Sequence, residues 1–351
     1  MLNSIITILA IAFGVGLVVL LLKVSLSRTK DRSTVVSHLY VYPVKSLGGV
    51  EVDEASVSRI GFRFDRRFIV ADKDGMMLSQ RKHPRMATLQ PSVEEKDGVI
   101  NLKIHDRHDP SSECEVSVSL EDAASGRYPF VTVEVWGAKI RAARVGDAVS
   151  KWLSDKIGVD CYLATVISDS AHDRKLKPKY QVHGHKEDQA GAFSDGFPYL
   201  LASEESLVGV NAQLKLAGVS TIGMERFRPN IVVKNVSKPF AEDNWAEIKI
   251  GSLRFRVAKP CDRCSMPTID QKAGVRDKTN QPTRTMKKFR YFSWTKSNGE
   301  KAVYFGQNLV CHGDTGKIKR GDKLSVICGT SALGCQTSVL TKVMLKLSSL
   351  F

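Results

Sequence analysis

Short runs in which apolar and polar residues alternate, each broken by Gly, Pro or Asp, recur from Val35 almost to Ile327. They constrain the fold more than any other feature, because a period of two turns one face of each run toward a core. Val35 to Tyr42, closed by Pro43, reads as the first strand, and Val50 to Val57 resumes after a loop carrying Lys45, Ser46, Gly48 and Gly49. Arg66 to Ala71 and Met76 to Ser79 flank Asp72-Lys73-Asp74-Gly75, while Val131 to Val135 and Ala138 to Ala142 flank Trp136-Gly137. Both connections have hairpin chemistry. Val99 to Ile104 and Cys114 to Leu120 are strands around a polar insert, His105 to Glu113, and Cys161 to Val166, Tyr199 to Ala202 and Ile231 to Val233 are apolar strands. Asp147 is placed to cap a helix with Val149, Trp152, Leu153 and Ile157 on one face and Gly158 as its stop. Ser203 caps a second, with Leu207, Val210, Leu214 and Ala217 inward and Gly218 beyond. The fold expected is mixed α/β, β-rich, with few helices.

The most unusual chemistry lies between Leu253 and Asp270. Glu247 to Ile250 and Leu253 to Val257 alternate around Gly251-Ser252, a hairpin, and Pro260 is expected to end the ladder because it has no N–H to give. That places Cys261 and Cys264 on a loop at the end of a strand. Two thiols at this spacing have four readings: half of a zinc site, with Cys311 and His312 the available partners; a redox dithiol; two buried apolar side chains; or one thiolate on a soft metal centre with the other in support. Adjacent residues rarely chelate one ion, and Pro267 keeps a helix from following promptly, which weakens the first two. The pair alone does not choose between the others.

The net charge of +15 favours anionic partners: an acidic protein, an anionic membrane face or a phosphorylated cofactor. Aromatics do not interleave with basic runs, so no nucleic acid is expected. Ile5 to Leu22 is an apolar run just long enough to cross a bilayer, and Lys23, Arg28, Lys30 and Arg32 follow it. The reading is one transmembrane signal anchor over residues 1–26 with the bulk of the chain on the cytosolic side, then a linker over 27–34. Seven cysteines, an odd number, suit a reducing compartment. Ser168 to Gln189 is a polar, basic connection; His183 and His185 have no Cys or carboxylate partner at helix or strand spacing, so a solvated loop is expected there. A basic segment, Arg276 to Arg290, leads to a strand-like Ala302 to Phe305, and Leu324 to Ile327 reads as the closing strand of a barrel. No glycine-rich dinucleotide fingerprint follows a strand, so the chain is not expected to bind NADH itself.

Several motifs taken in order carry a resemblance. They are Tyr42-Pro43-Val44-Lys45-Ser46, Asp65-Arg66-Arg67-Phe68, Ser194-Asp195, Arg226-Phe227-Arg228-Pro229-Asn230, Pro260-Cys261-Asp262-Arg263-Cys264 with Thr268-Ile269-Asp270, and Phe305-Gly306-Gln307. Over residues 35 to 330 the chain resembles the MOSC-domain molybdenum enzymes, and with its N-terminal anchor it resembles the membrane-bound mitochondrial amidoxime-reducing type. The resemblance implies a MOSC N-terminal β-barrel domain over 35–165, a MOSC β-barrel domain with the cofactor site over 166–330, and a C-terminal tail over 331–351. Gly196-Phe197 and Asp262 depart from the family pattern, and the tail has no counterpart in it.

It further implies a molybdopterin cofactor whose metal takes one protein thiolate, Cys264, with Cys261 beside it as a structural thiol. Lys45, Ser46, Arg66 and Arg228 would hold its phosphate, Asp195 and Asn230 would read its ring, and Ser194, Gly196 and Asp262 would complete the cofactor site. The implied reaction is reduction of amidoximes and N-hydroxylated amines or bases, with electrons from NADH through cytochrome b5 reductase and cytochrome b5, and neither NAD nor haem on this chain. The implied location is the mitochondrial outer membrane facing the cytosol, with the endoplasmic reticulum as the alternative. Two other readings stand beside it: a sulfur-handling MOSC protein, and a membrane-tethered adaptor without activity.

Overall fold

Most of the alternating segments form strands as their spacing predicts, although the run Val50 to Val57 is split into Val50–Val52 and Glu54–Ser58. The computed structural model describes residues 33–168, 174–182, 191, 193–291, 296–297, 300–313 and 315–329. The anchor expected over 1–26, most of the 27–34 linker, His183, His185 and the 331–351 tail lie outside the described residues. No helix among the described residues is long and apolar enough to cross a membrane.

The largest sheet has eight strands, in the order Val50–Val52, Val35–Val41, Ile231–Lys234, Tyr199–Ser203, Val303–Cys311, Leu253–Arg263, Trp245–Ile250, Leu324–Gly329. All neighbours are antiparallel except Tyr199–Ser203 beside Ile231–Lys234. Backbone bonds from Val36 to Asp322 (2.9 Å) and from Leu324 to Thr34 (2.8 Å) draw the ends of the sheet together. Its core includes Leu39, Leu201, Ile231, Ile248, Phe255 and Leu309, all fully buried. The first strands of the chain thus complete a sheet made mostly of the last third.

A second unit lies between these strands in sequence. Phe68–Asp72, Cys161–Val166, Ala138–Val145 and Phe130–Val135 make a four-stranded sheet, and Leu89–Lys96, Val99–Asp106 and Asp109–Ser119 make a meander. The expected polar insert is thus mostly strand, turning at Arg107-His108, because its polar side chains sit on an exposed face. Met76 to Ser79 is not a strand, only two isolated bridges.

Both helices form, Asp147–Ile157 and Glu204–Leu216. The first is capped by Gly146 in the left-handed region (φ 64°), not by the Asp147 side chain. Ser203 caps the second as expected, its Oγ accepting from the Ser206 N–H at 3.2 Å. Ala217 is its exposed C-cap rather than an inward residue.

Pro260 does not end its ladder. The strand runs Leu253–Arg263, and register shifts between Val257 and Lys259 and between Pro260 and Asp262 let the proline sit where no N–H is demanded. Cys261 therefore lies on the strand, and Cys264 just past its end.

Candidate functional site

A cavity of about 330 Å³ opens where the two units meet, and all ten residues singled out from the sequence line it: Lys45, Ser46, Arg66, Ser194, Asp195, Gly196, Arg228, Asn230, Asp262 and Cys264. They come from five places: the turn after the first strand, the Arg66 turn, the loop before Tyr199, the Arg228 loop and the thiol strand with its end. Ser46 (φ 67°), Arg66 (φ 50°) and Arg228 (φ 54°) all hold left-handed backbone. Such conformations cost a non-glycine residue of order 1 kcal/mol or more and persist where the surroundings enforce them.

The enforcing group for two of them is Tyr42. Its ring lies between the guanidiniums of Arg66 (4.4 Å) and Arg228 (4.2 Å), and its hydroxyl donates to the Pro229 carbonyl at 3.0 Å. Asp65, its side chain 2% exposed, accepts from the Tyr42 N–H at 2.9 Å and pairs with Arg66. The Tyr-Pro and Asp-Arg motifs are thus one clamp. Burial lowers the Arg228 guanidinium to about 10, and the neighbouring Arg66 charge pushes the same way. Arg228 donates to the Leu47 carbonyl at 2.7 Å and is 8% exposed. Behind it Phe227 stacks on Phe305 at 3.8 Å between centroids. Gly306 has to be glycine, since its φ is 79° and a Cβ would lie 2.7 Å from the Leu201 carbonyl.

Asn230 is 2% exposed and its amide is engaged. The Oδ1 accepts from Leu200 N–H (3.2 Å) and Arg66 (3.4 Å), and the Nδ2 donates to the Tyr40 carbonyl (3.2 Å). It holds Arg66 and two strands in place. Gln307, from the last motif, donates to Asp243 at 2.7 Å, and Asp243 is also paired with Arg290.

Lys45 is buried and donates to the Phe193 carbonyl (2.8 Å) and to Asp195 Oδ1 (2.6 Å). Loss of water lowers the Lys45 ammonium below its ordinary value, and the Asp195 charge opposes this. For Asp195 the protein around it works to raise the carboxyl, but the charge and hydrogen bond of Lys45, with a bond from Trp136 Nε1 (3.0 Å), win and hold it well below the carboxylate range. Its side chain is 75% exposed, toward the open cavity. Gly196 next to it has nothing within 4 Å of a notional Cβ.

On the facing wall Cys264 is exposed, and the Met266 N–H donates to its sulfur at 3.4 Å. Cys261 is half-buried and burial pushes its thiol up, although the Arg263 charge pulls the other way. Arg263 donates to Cys261 Sγ at 3.1 Å and to the Phe227 carbonyl at 2.8 Å, and its buried Nε has no partner. Asp262 pairs with Lys259. Arg226 pairs with Asp270 at 2.8 Å and donates to the Pro267 carbonyl at 3.3 Å, tying the thiol segment to the arginine loop. Among the described residues no three His, Cys, Asp or Glu side chains converge as a metal site.

The lining holds six cations (Lys45, Arg66, Arg81, Arg228, Lys259, Arg263) and two carboxylates (Asp195, Asp262), so the cavity is built for an anion. Arg81, Trp136, Lys259, Arg263 and Met266 were not anticipated from the sequence. Arg263 stood inside a quoted motif without a role. Trp136 carried a signal that went unused: a large aromatic at a two-residue hairpin turn, a place for Asn or Gly. It is held at φ 54°.

Residues 33–160 match the MOSC N-terminal beta barrel domain and residues 188–325 match the MOSC domain. Molybdenum cofactor sulfurase of Homo sapiens is 31% identical over 290 residues, 79% of this chain but 30% of the sulfurase, so the chain spans under a third of that relative. Mitochondrial amidoxime-reducing component 1 of Mus musculus is 28% identical over 301 residues, 83% of this chain and 82% of that protein. Among solved structures, the YUAD protein from Bacillus subtilis aligns over 83% of this chain and 94% of its own at 10% identity, with a TM-score of 0.35 that is too low to compare elements. With both models matched in tandem, the chain is a MOSC-domain protein: a MOSC N-terminal beta barrel domain followed by a MOSC domain.

Proposed function

We propose that the chain is a molybdenum-cofactor-dependent reductase of N-oxygenated compounds, converting amidoximes and N-hydroxylated amines or bases to the parent amidine or amine. The observation that carries the reading is one anion-seeking cavity with an exposed thiol on its wall. The residues fit a phosphate-bearing, thiolate-ligated cofactor on three counts. Cys264 is open and its sulfur accepts an N–H, as a ligand sulfur would. Arg228 and Arg263 are ion-paired with no carboxylate among the described residues. The Arg263 Nε is a buried donor lacking an acceptor.

Cys264 would ligate the metal. Arg66, Arg228, Lys45 and Ser46 would hold the phosphate, Ser194, Asp195, Gly196 and Asp262 would flank the cofactor, and Asn230 would brace Arg66. Bound there, the cofactor supplies the two-electron reduction of the N–O bond, which with two protons gives the N–H compound and water. Asp195 and Asp262 are both held below the usual carboxylate range, so at neutral pH they balance lysines rather than deliver protons. Electrons would come from NADH through cytochrome b5 reductase and cytochrome b5, an acidic partner suited to a chain of net charge +15. The N-terminal apolar run would anchor the protein in the mitochondrial outer membrane, or the endoplasmic reticulum, facing the cytosol. The 31% match to molybdenum cofactor sulfurase favours a second reading, a sulfur-handling MOSC protein.

The test is molybdenum content and benzamidoxime reduction with cytochrome b5 and its reductase, on protein from a cofactor-replete host. We expect about one molybdenum per chain, a loss of activity of about 100-fold or more in Cys264→Ser, and most activity retained in Cys261→Ser. Molybdenum without reduction, but with sulfur transfer, selects the second reading. Protein without molybdenum sinks both.

A further inference from the structure

Trp136 and Arg81, both from the N-terminal beta barrel unit, form one part of the cavity wall. Trp136 sits at the tip of the hairpin joining Phe130–Val135 to Ala138–Val145, 50% exposed although it is among the largest apolar side chains. Its ring is fixed rather than loose. The left-handed backbone sets its direction, and its Nε1 is tied across to Asp195 Oδ1 at 3.0 Å. The Arg81 guanidinium lies 4.0 Å from the ring centroid.

Asp195 is already satisfied by Lys45, so it does not neutralise Arg81. Among the described residues Arg81 is ion-paired with no carboxylate. The Arg81 carbonyl is itself held, accepting from Arg276 Nη2. A flat indole and an unneutralised planar cation therefore stand together on the wall of the same cavity that carries Cys264. A guanidinium on an aromatic face keeps its outward N–H groups for a bidentate oxyanion.

Resting on the reductase reading, we propose that Arg81 and Trp136 form the specificity wall of the substrate site, and that the substrate is a planar N-oxygenated compound carrying a carboxylate or phosphate. The ring of the substrate lies along Trp136, and its anionic group meets Arg81. Trp136 is held by Asp195, which makes the loop before Tyr199 a second, indirect determinant of the same wall.

The experiment compares benzamidoxime, 4-carboxybenzamidoxime and 4-(aminomethyl)benzamidoxime as substrates of the full holoenzyme. One charge-assisted bond is expected to favour the carboxylate over the neutral compound about 10-fold in kcat/KM, mainly through KM, and to disfavour the cation. The ratio should fall toward one in Arg81→Met, return in part in Arg81→Lys, and shrink in high salt. Trp136→Ala should raise KM for all three compounds, whereas Trp136→Phe should keep the order. Molybdenum content of each variant is measured alongside. If Arg81→Met loses molybdenum, the wall belongs to the cofactor and the proposal fails. If the wild type reduces all three equally, the anion preference fails while the reductase reading stands. If none is reduced, the reductase reading itself fails.

Discussion

Among the free thiols, what separates one from another is water and neighbours. Cys264 is exposed at the cavity wall. Cys114 lies half-buried on the Asp109–Ser119 strand, where burial pushes its thiol up to about 12. Cys161 is buried with its sulfur 3.5 Å from the Ser154 hydroxyl, and burial raises it too. A thiol above its ordinary value is mostly protonated near neutral pH and reacts slowly. In cofactor-free protein near pH 7.5, iodoacetamide should therefore label Cys264 at least about 10-fold faster than Cys114 or Cys161. Peptide mass spectrometry over a time course checks it, and equal rates would mean that Cys264 is covered in solution. At this scale much was legible. Lys45, Arg66, Arg228 and Cys264 could be named because they stand in the motifs that carry the family resemblance, and their charge and thiol chemistry suits the cofactor it implies. Arg81 could not, because what matters about it is a stacking distance that no spacing encodes, whereas Trp136 showed only as an aromatic out of place at a tight turn.

The junction of the Tyr199–Ser203 strand with the Glu204–Leu216 helix shows what an element needs beyond its pattern. Ser203 caps the helix by accepting from the Ser206 N–H, and the hydroxyls of both serines donate to Glu242, at 3.0 and 2.6 Å. Glu242 is 1% exposed. Burial raises its carboxyl above the ordinary value and outweighs the bonds from Ser206 and Ser203. The folded chain thus keeps this proton to higher pH than the unfolded chain does. The associated stability is present below the unfolded value, about pH 4, and is lost as the pH rises through the folded value. Glu242→Gln keeps a polar partner for both hydroxyls without the titration. Its melting temperature relative to wild type should climb as pH is raised from about 4 to about 8. A flat difference across that range would mean the carboxyl is solvated. The cap itself was legible, since Ser203 precedes an apolar 3.6-residue period. Its carboxylate partner was not, lying 39 positions away. The run of the thiol strand past Pro260 was missed for a related reason: a bulge depends on the facing strand, here Val303–Cys311.

For the whole molecule the alternation disclosed strands but not their partners. Val35–Val41 pairs with Ile231–Lys234, and Glu54–Ser58 pairs with Gly316–Lys319. Val36, Leu39, Val41, Val57 and Phe62 are buried in the core of the large sheet. At about 1.5–3 kcal/mol each, these five side chains contribute about as much as the entire stability of an ordinary domain. Residues 166–329 expressed alone should therefore lack a cooperative melt, whereas 33–329 should have one. Calorimetry and circular dichroism decide it, and a cooperative transition in the shorter piece would show that the N-terminal strands are dispensable.

That interlacing sets a timetable for biosynthesis. Ser37 accepts a hydrogen bond from Arg320, 283 positions later. At about 5–20 residues per second the ribosome takes roughly 15–60 s to deliver that partner. For most of that interval, until Ile231–Lys234 is made, the earliest strand has one open edge and an uncovered apolar face, with only Val50–Val52 to pair with. Whatever shields nascent chains must attend to this protein from its first strand until nearly its last.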